Sequence, residues 1–289
     1  MNIIFFVFGT NISYYQQVFF SIYTVLANKD ETDDIIVIAE DPTLFKQLGD
    51  RVKVIPIDTK MISDWKGDYD YFFRVKIKAL EYISQEYPDK HILYLDGDTF
   101  VYQPLSIIKA GLAKGHNFLH LNEGTLPTLK TKTEKKLWEQ IKYKKFADIL
   151  IDENTTMWNS GVIGISTQNF ATIPLALQIT DEMCAAKVTC FTMEQLSFGI
   201  ASNQLSTVKA ADHIVGHYWG NKDQWNSLIS IWISKSLMTN LTEEEMIESA
   251  RKFPFVEIPF YVKTSNTYKR LSKRLQSVFK TKNACYINS

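Results

Sequence analysis

With 289 residues, the chain is long enough for one large α/β domain, because a single hydrophobic core can grow to about 250 to 300 residues. Hydrophobic residues make up 45% and charged residues 22% of the sequence, which argues against a disordered chain or a fibrous repeat. Lys and Arg together number 32, as do Asp and Glu, and this neutral balance argues against nucleic acid as a partner.

Cysteine usage and the N-terminus both indicate a cytoplasmic protein. Cys184, Cys190 and Cys285 are an odd number without metal-site spacing, so we interpret them as reduced thiols. The apolar residues 1–8 lack a basic leader, and Gly9 interrupts them far too early for a signal peptide or a membrane span. We therefore expect the protein in the cytosol.

The N-terminal part of the chain alternates apolar strand patterns with helical patterns. Continuous apolar runs predict buried strands at residues 3–8, 35–39 and 52–57. Helices are predicted between them, at residues 14–27 and 42–48. The resulting βαβαβ order is the beginning of a doubly wound α/β sheet.

Later elements follow the same kind of pattern. Helical spacing predicts a helix over residues 71–83, and an apolar run predicts a strand at residues 92–95. The elements predicted after these are a lysine-rich helix at 131–151, a strand at 158–165, a helix at about 174–187 and a strand-like run at 213–217. Thr242 and Glu245 form a capping box that starts one more helix.

The strand at residues 92–95 leads directly into Asp96, Gly97 and Asp98. Open α/β sheets bind ligands at the carboxyl ends of their strands, and Mg²⁺ and similar hard cations are held there by one or two carboxylates together with substrate phosphates. Asp-Gly-Asp is also an ordinary turn sequence. Its position at the end of a buried strand favours a metal site, with Gly97 permitting a tight turn.

The sequence around these carboxylates resembles that of glycosyltransferase family 8. Residues 94–101 resemble the Asp-X-Asp strand of these nucleotide-sugar enzymes, and three further motifs occur in the family's order. These are Asn159-Ser160-Gly161-Val162, Glu194-Gln195 and His217-Tyr218-Trp219-Gly220-Asn221-Lys222. The segments around Thr10, Asn11 and Tyr14 and around Arg74, Lys76 and Lys78 are also similar, so the resemblance extends from residue 3 to about residue 225.

The resemblance implies an α/β fold of the GT-A type, with a single Rossmann-like mixed sheet flanked by helices. It also implies a metal-dependent hexosyltransferase that takes its sugar from a nucleotide-sugar donor, most simply a UDP-sugar. The cofactor would be Mn²⁺ or Mg²⁺. The acceptor would be a glycan or glycolipid of surface polysaccharide or lipopolysaccharide biosynthesis, and the transfer would retain the anomeric configuration.

The resemblance also implies roles for individual residues. Asp96, Asp98 and His217 would hold the metal, and the residues facing the donor sugar would be Asn159, Glu194 and Gln195. The residues implied to bind the nucleotide and its diphosphate are Thr10, Asn11, Tyr14, Arg74, Lys78, Gly220 and Lys222. Two positions depart from the family pattern: Glu194 stands where the family usually has Asp, and Lys222 follows the glycine by two residues where the family has three.

Several alternatives remain open from the sequence alone. His213 lies four residues before His217, on the same face of the predicted strand, and the side chain of either histidine can bind a metal. Arg74 and Lys78 can also be a solvated helix edge. An inverting enzyme would need a carboxylate base, for which Asp152 and Glu153 are available.

Two other classes of protein also fit parts of the sequence. A sugar nucleotidyltransferase has a similar sheet and acidic metal site, but it would normally show a glycine-rich phosphate loop where this chain has only Gly9-Thr10-Asn11 before a helix. A catalytically inactive sugar-binding or scaffold protein would tolerate loss of the metal ligands, which this chain retains. Trp219 and Trp225 are interpreted as packing residues in either case.

The C-terminal part of the chain has a distinct character. We predict a catalytic domain over residues 1–235 and a helical, basic extension over residues 236–289. The cations of its last segment are Lys263, Lys269, Arg270, Lys273, Arg274, Lys280 and Lys282, without an acidic residue among them. Leu271, Leu275 and Phe279 fall four apart, so the tail can be an amphipathic helix that contacts an anionic membrane at the inner face, or a helix that packs on the domain.

Overall fold

The computed structural model describes residues 1–260. Its strands are β1 (Asn2–Val7), β2 (Asp34–Ala39), β3 (Lys53–Pro56), β4 (Ile92–Leu95), β5 (Thr99–Val101), β6 (Asn117–Thr125), β7 (Lys145–Phe146), β8 (Ile149–Leu150), β9 (Thr156–Ile165), β10 (Val208–Ala210) and β11 (Val215–His217). Its α-helices are α1 (Ile12–Leu26), α2 (Thr59–Lys66), α3 (Arg74–Glu86), α4 (Ser106–Ala113), α5 (Lys132–Ile141), α6 (Thr172–Ala185), α7 (Met193–Leu205), α8 (Lys222–Met238) and α9 (Glu243–Arg251). The short helix predicted at residues 42–48 is a 3-10 helix, Pro42–Arg51.

A seven-stranded mixed sheet organises the molecule, in the order β10-β6-β9-β4-β1-β2-β3. The strands β3, β2, β1 and β4 run parallel, whereas β9 is antiparallel to both β4 and β6. Alternate residues of β1 enter different cores, because Ile3 and Phe5 pack on one face of the sheet and Ile4 packs on the other. Burial on both faces explains why β1 is a continuous apolar run. The predicted mixed α/β sheet is confirmed.

The helix predicted over residues 131–151 is wrong in its second half. Helix α5 ends at Ile141, and a small antiparallel hairpin, β7 with β8, follows. Ala147 and Asp148, at the tip of this hairpin, have φ values of 49° and 61°, which a continuing right-handed helix does not contain. The lysines of this stretch favour helix by propensity, but the left-handed residues require a turn.

Helix α7 is not among the elements that the sequence patterns predict. Most of its residues are buried, including Leu196, Phe198 and Ala201, so its sequence lacks the polar face that identifies a surface helix. The helix packs against α6 and against β9. It therefore begins, at Met193, close to the strand that carries Asn159.

The C-terminal helices continue the core of the preceding residues. Helix α8 runs across residue 235, and both α8 and α9 pack on α1. Phe253 contacts Phe20 of α1, with the ring centroids 4.8 Å apart. Thr242 and Glu245 form the predicted capping box at the start of α9. The basic tail and Cys285 lie outside the described residues, and none of the helices within residues 1–260 combines the length and apolarity of a membrane span.

Candidate metal and donor-sugar site

The carboxylates Asp96 and Asp98 lie where β4 ends and the chain turns into β5. The Asp96 N–H donates to Gly161 O at 2.9 Å and so extends the pairing of β4 with β9, and Thr99 closes the turn by donating its N–H to Asp96 O. Gly97 is not in the left-handed region. A Cβ at Gly97 would instead lie 3.0 Å from Val18 Cγ2, so the glycine lets α1 pack against the turn.

His217 reaches the same place from the other direction. Strand β11 pairs antiparallel with β5, and this register sets His217 opposite Thr99, next to Asp98. His217 Nε2 is 3.4 Å from Asp98 Oδ1, and one ligand atom from each of Asp96, Asp98 and His217 lies within 4.8 Å of the others. His213 lies before β11, is exposed and faces Asp212. Asp96, Asp98 and His217 form one group that can hold a divalent cation, here called the metal-binding group.

Hydrogen bonds fix the orientation of the His217 ring. Asn159 Oδ1 accepts the N–H of Gly161 at 3.0 Å, which identifies this atom as the amide oxygen, and the same oxygen lies 2.9 Å from His217 Nδ1. His217 Nδ1 must therefore be the protonated nitrogen, and in the neutral ring Nε2 presents its lone pair toward the carboxylates. Two carboxylates with one imidazole suit Mn²⁺ or a similar cation. The donor set fits the implied metal.

Gly161 has a specific role beside this ring. A Cβ at this position would lie 2.3 Å from His217 Nδ1 and Cε1, a distance that no relaxed structure tolerates. We expect Gly161→Ala to push His217 off its position and to lower Mn²⁺ affinity about 10-fold to 100-fold, as measured by titration calorimetry. Gly199→Ala is the control, because its Cβ would come no nearer than 3.3 Å to Trp158. Equal affinities for the wild type and Gly161→Ala would exclude His217 as a ligand.

A buried lysine lies beneath the carboxylates. Lys76, on α3, has its Nζ 3.1 Å from Asp96 Oδ1 and 3.2 Å from Glu194 Oε1, and it also donates to Ser160 O at 3.3 Å. Burial lowers the pKa of this ammonium, but Asp96 and Glu194 oppose that effect and the net pKa is raised. Lys76 therefore stays charged and joins the first turn of α7 to the metal-binding turn.

The Glu194 carboxylate is engaged by Lys76 and Ser160. Its carboxylate is 3% exposed, faces Lys76 and accepts a hydrogen bond from Ser160 Oγ at 3.2 Å. Burial raises the pKa of Glu194, whereas Lys76 lowers it. In this structure the Glu194 carboxylate is therefore held by Lys76 and Ser160.

Lys222 approaches the metal-binding group from the solvent side. It is the first residue of α8, and its Nζ lies 2.8 Å from Asp98 Oδ2. Burial raises the pKa of Asp98, but His217 and Lys222 outweigh this effect, and the pKa of Asp98 is lowered well below its usual range.

The two tryptophans near Lys222 differ in burial. Trp225 is fully buried and stacks on Tyr218, with the ring centroids 4.6 Å apart, and so fixes the start of α8. Trp225 is a packing residue, as predicted, whereas Trp219 is 54% exposed.

Glu123 connects the residues implied to face the donor sugar. Its Oε1 accepts from Asn159 Nδ2 at 3.4 Å, and its Oε2 accepts from Gln195 Nε2 at 3.1 Å. Gln195 Oε1 in turn lies 3.5 Å from the N–H of Ser160. Glu123 sits where the pairing of β6 with β9 shifts register, between Asn122 and Gly124. Such irregularities re-aim side chains and are frequent at functional sites.

His120 packs against the metal-binding histidine. The two rings meet edge to face, with the centroids of His120 and His217 5.2 Å apart. His120 Nε2 lies 3.0 Å from Val215 O and donates to it, and burial lowers the pKa of His120 to about 4. His120 is therefore neutral at physiological pH and adds no positive charge beside the group.

The other predicted residues are spread over two regions. Thr10, Asn11 and Tyr14 lie at the start of α1, where Asn11 Oδ1 caps the helix by accepting the Ser13 N–H at 3.0 Å. Tyr14 is 48% exposed, and its backbone lies beside Gly97. Gly220 lies between β11 and α8, two residues before Lys222. Of these residues, Tyr14 lies against the carboxylate turn through its backbone oxygen.

Arg74 and Lys78 are engaged elsewhere. Arg74 Nε and Nη2 donate to the two carboxylate oxygens of Asp181 at 2.7 and 3.0 Å, and Lys78 pairs with Glu81 one turn along α3. Neither residue contacts the metal-binding group in this structure. Asp152 and Glu153 form local contacts, with Asn154 and Tyr143 respectively, on the exposed turn after β8.

Comparisons with known proteins agree with this fold. No protein-family model matches the chain, and the search of curated proteins gives no match. The glycosyltransferase GlyE of Streptococcus pneumoniae matches with a TM-score of 0.53 at 11% identity, over 86% of this chain and 62% of that one. The galactosyltransferase LgtC, in complex with donor and acceptor sugar analogues, matches with a TM-score of 0.48 at 14% identity, over 73% of this chain and 74% of that one. Mouse xyloside xylosyltransferase 1 matches with a TM-score of 0.48 at 11% identity, over 73% of this chain and 85% of that one.

The comparisons show the fold of this chain. It has a mixed seven-stranded sheet of the GT-A type, a fold that it shares with the glycosyltransferase GlyE. An Asp-X-Asp turn with a nearby histidine, able to bind a metal, lies at the carboxyl end of β4. The chain thus combines a GT-A fold with a group of side chains that can hold a divalent cation.

Proposed function

We propose that this protein is a metal-dependent glycosyltransferase that moves a hexose-type sugar from a UDP-sugar to a glycan or glycolipid. The observation that carries the proposal is the convergence of Asp96, Asp98 and His217 within 4.8 Å at a strand end of a GT-A fold. A divalent cation held there supplies Lewis-acid stabilisation of the diphosphate leaving group. The proposed pathway is the synthesis of a surface polysaccharide or lipopolysaccharide.

The chain's own residues have distinct roles in this proposal. Lys222 binds a phosphate oxygen, with the Gly220 backbone alongside, and Thr10, Asn11 and Tyr14 line the nucleotide pocket at the start of α1. Asn159 and Gln195 face the donor sugar, and Glu123 keeps their amide groups in a fixed orientation. Glu194 acts through Lys76, which holds Asp96 in place. Transfer with retention is part of the proposal.

Nucleotide release from a panel of nucleotide sugars tests the proposed function. Full-length protein is incubated with each donor and with Mn²⁺, Mg²⁺ or EDTA, and the free nucleoside diphosphate is measured. We expect release of UDP from one UDP-sugar, dependent on the cation. Donor binding without release would favour the catalytically inactive sugar-binding protein, and the absence of both would contradict the proposal.

The contact between Lys222 and Asp98 gives a prediction about binding. Without nucleotide, the Lys222 ammonium stabilises the carboxylate that the cation also needs, so Lys222→Met should bind Mn²⁺ at least as tightly as the wild type. With Mn²⁺ present, the same substitution should weaken UDP binding about 10-fold or more, because a charge-assisted contact to phosphate is lost. Titration calorimetry measures both affinities. Lys235→Met, an exposed change on the same helix, should alter neither.

Arg74 and Lys78 remain proposed diphosphate ligands whose role needs its own test. In this structure Arg74 holds Asp181 through two hydrogen bonds, and binding a phosphate would require it to leave that partner. UDP affinities of Arg74→Gln and Lys78→Gln, measured with Mn²⁺, separate the two roles. A lower melting temperature with unchanged UDP affinity would assign Arg74 to the fold.

A further inference from the structure

A cavity of about 700 Å³ lies beside the start of α7. Its wall includes the aromatic residues Tyr69, Tyr71 and Phe191 and the lysines Lys132 and Lys136 of α5. The Phe191 and Tyr69 side chains are 79% and 54% exposed. Cavities of this size, with aromatic walls and a few polar groups, are typical of small-ligand sites.

Tyr71 connects the cavity to the first turn of α7, which carries Glu194 and Gln195. Its hydroxyl accepts the N–H of Glu194 at 3.2 Å and donates to Phe191 O at 2.8 Å. Met193, the first residue of α7, also lines the cavity. The cavity wall and the pair Glu194-Gln195 therefore share the first turn of one helix.

The two lysines give the cavity its charge. Lys132 and Lys136 lie four apart on α5, so both point along one face of the helix. Within residues 1–260, neither ammonium group forms an ion pair with a carboxylate. The neighbouring Glu134 is held by the capping box at the helix start, and Asp70, which also lines the cavity, pairs with Lys66 at 3.1 Å.

We propose that this cavity is the acceptor site and that it selects a glycan bearing an anionic group, a carboxylate or a phosphate. The aromatic residues face the apolar side of a sugar ring, and Lys132 and Lys136 pair with the anion. The inference rests on the proposed function, because it requires a sugar to be transferred to a molecule held in this cavity.

Binding of three matched glycosides tests the selectivity. The probes are p-nitrophenyl glucoside, the corresponding glucuronide and the glucoside 6-phosphate, each titrated into full-length protein without donor or metal. We expect the two anionic probes to bind about 10-fold more tightly than the neutral one. The tighter of the two identifies the anion as carboxylate or phosphate. Equal affinities for all three probes would overturn the inference.

Lysine variants test which residues cause the preference for anionic probes. Lys132→Gln with Lys136→Gln should remove the preference, whereas Lys135→Gln with Lys144→Gln should keep it, because those two exposed lysines do not line the cavity. Phe191→Ala should weaken all three probes alike. A preference that survives the Lys132 and Lys136 substitutions would also overturn the inference.

The test separates this inference from the proposed function. Metal-dependent UDP release without any preference among the glycosides leaves the glycosyltransferase activity intact and overturns the anionic acceptor. A preference without UDP release from any donor overturns the proposed activity and leaves an anionic-glycan site. Stimulation of UDP release by the preferred glycoside, with a new glycoside product, supports both.

Discussion

Replacing Asp98 with asparagine is expected to abolish Mn²⁺ binding and to lower the rate of sugar transfer by about three orders of magnitude. Asp98 is buried between His217 and Lys222, and its carboxylate contacts both. An amide of the same size removes the charge but keeps the packing. Calorimetry gives the metal affinity, and UDP release gives the rate.

A matched control uses a carboxylate of the same neighbourhood. Asp212 precedes β11, is exposed, and faces His213 rather than His217. Asp212→Asn should leave both metal affinity and rate unchanged. If Asp98→Asn retains the wild-type affinity for Mn²⁺, Asp98 is not a ligand of the cation. If the variant loses Mn²⁺ binding but retains the rate of UDP release, the protein does not use the metal for transfer.

The second large effect is expected from Lys76→Met, which leaves the buried Glu194 carboxylate and the partly buried Asp96 carboxylate without their cation. Removing one partner of a buried ion pair typically costs about 3 to 5 kcal/mol, which for a chain of this length should lower the melting temperature by roughly 5 to 8 °C. Lys78→Met is the control on the same helix. Lys78 and its partner Glu81 are both partly exposed, so the loss of this ion pair should cost less, about 1 kcal/mol or below.

The effect of Lys76→Met should also depend on pH. Without Lys76, burial and Asp96 raise the pKa of Glu194 further above its ordinary 4.5. A group with a raised pKa in the folded state contributes stability that is fully present below its unfolded pKa and is lost as the pH rises through its folded pKa. The deficit in melting temperature should therefore be smaller at pH 5 than at pH 8.

A second substitution tests whether unpaired charge causes the loss of stability in Lys76→Met. Adding Glu194→Gln to Lys76→Met removes one of the uncompensated charges and should recover part of the lost stability, together with most of the pH dependence. A Lys76→Met deficit that is the same at both pH values, and unaffected by Glu194→Gln, would mean that lost packing rather than unpaired charge is responsible.

The convergence of Asp96, Asp98 and His217 could be predicted because each of them lies in a recognisable local pattern. Asp96 and Asp98 end a short buried strand, and His217 belongs to a motif that occurs in the family's order. The same patterns gave the βαβαβ start of the sheet. Burial on both faces makes β1 and β2 uniformly apolar, so these strands are visible in the sequence.

Lys76 had a weaker local signal, and Glu123 had none. Lys76 stands four and seven residues before Leu80 and Ile83, on the apolar stripe of α3, and a lysine in such a stripe indicates a buried cation. Glu123 had no local signal, because its position depends on a register shift between β6 and β9 that strand alternation does not predict.

The ion pairs around the carboxylate turn also set an electrostatic balance. Three carboxylates, Asp96, Asp98 and Glu194, face two ammonium groups, Lys76 and Lys222, so the group carries one net negative charge. A divalent cation alone would make it net positive by one, and a doubly charged diphosphate alone would make it negative by three. Both together restore the original charge. Cation and donor should therefore each raise the other's affinity.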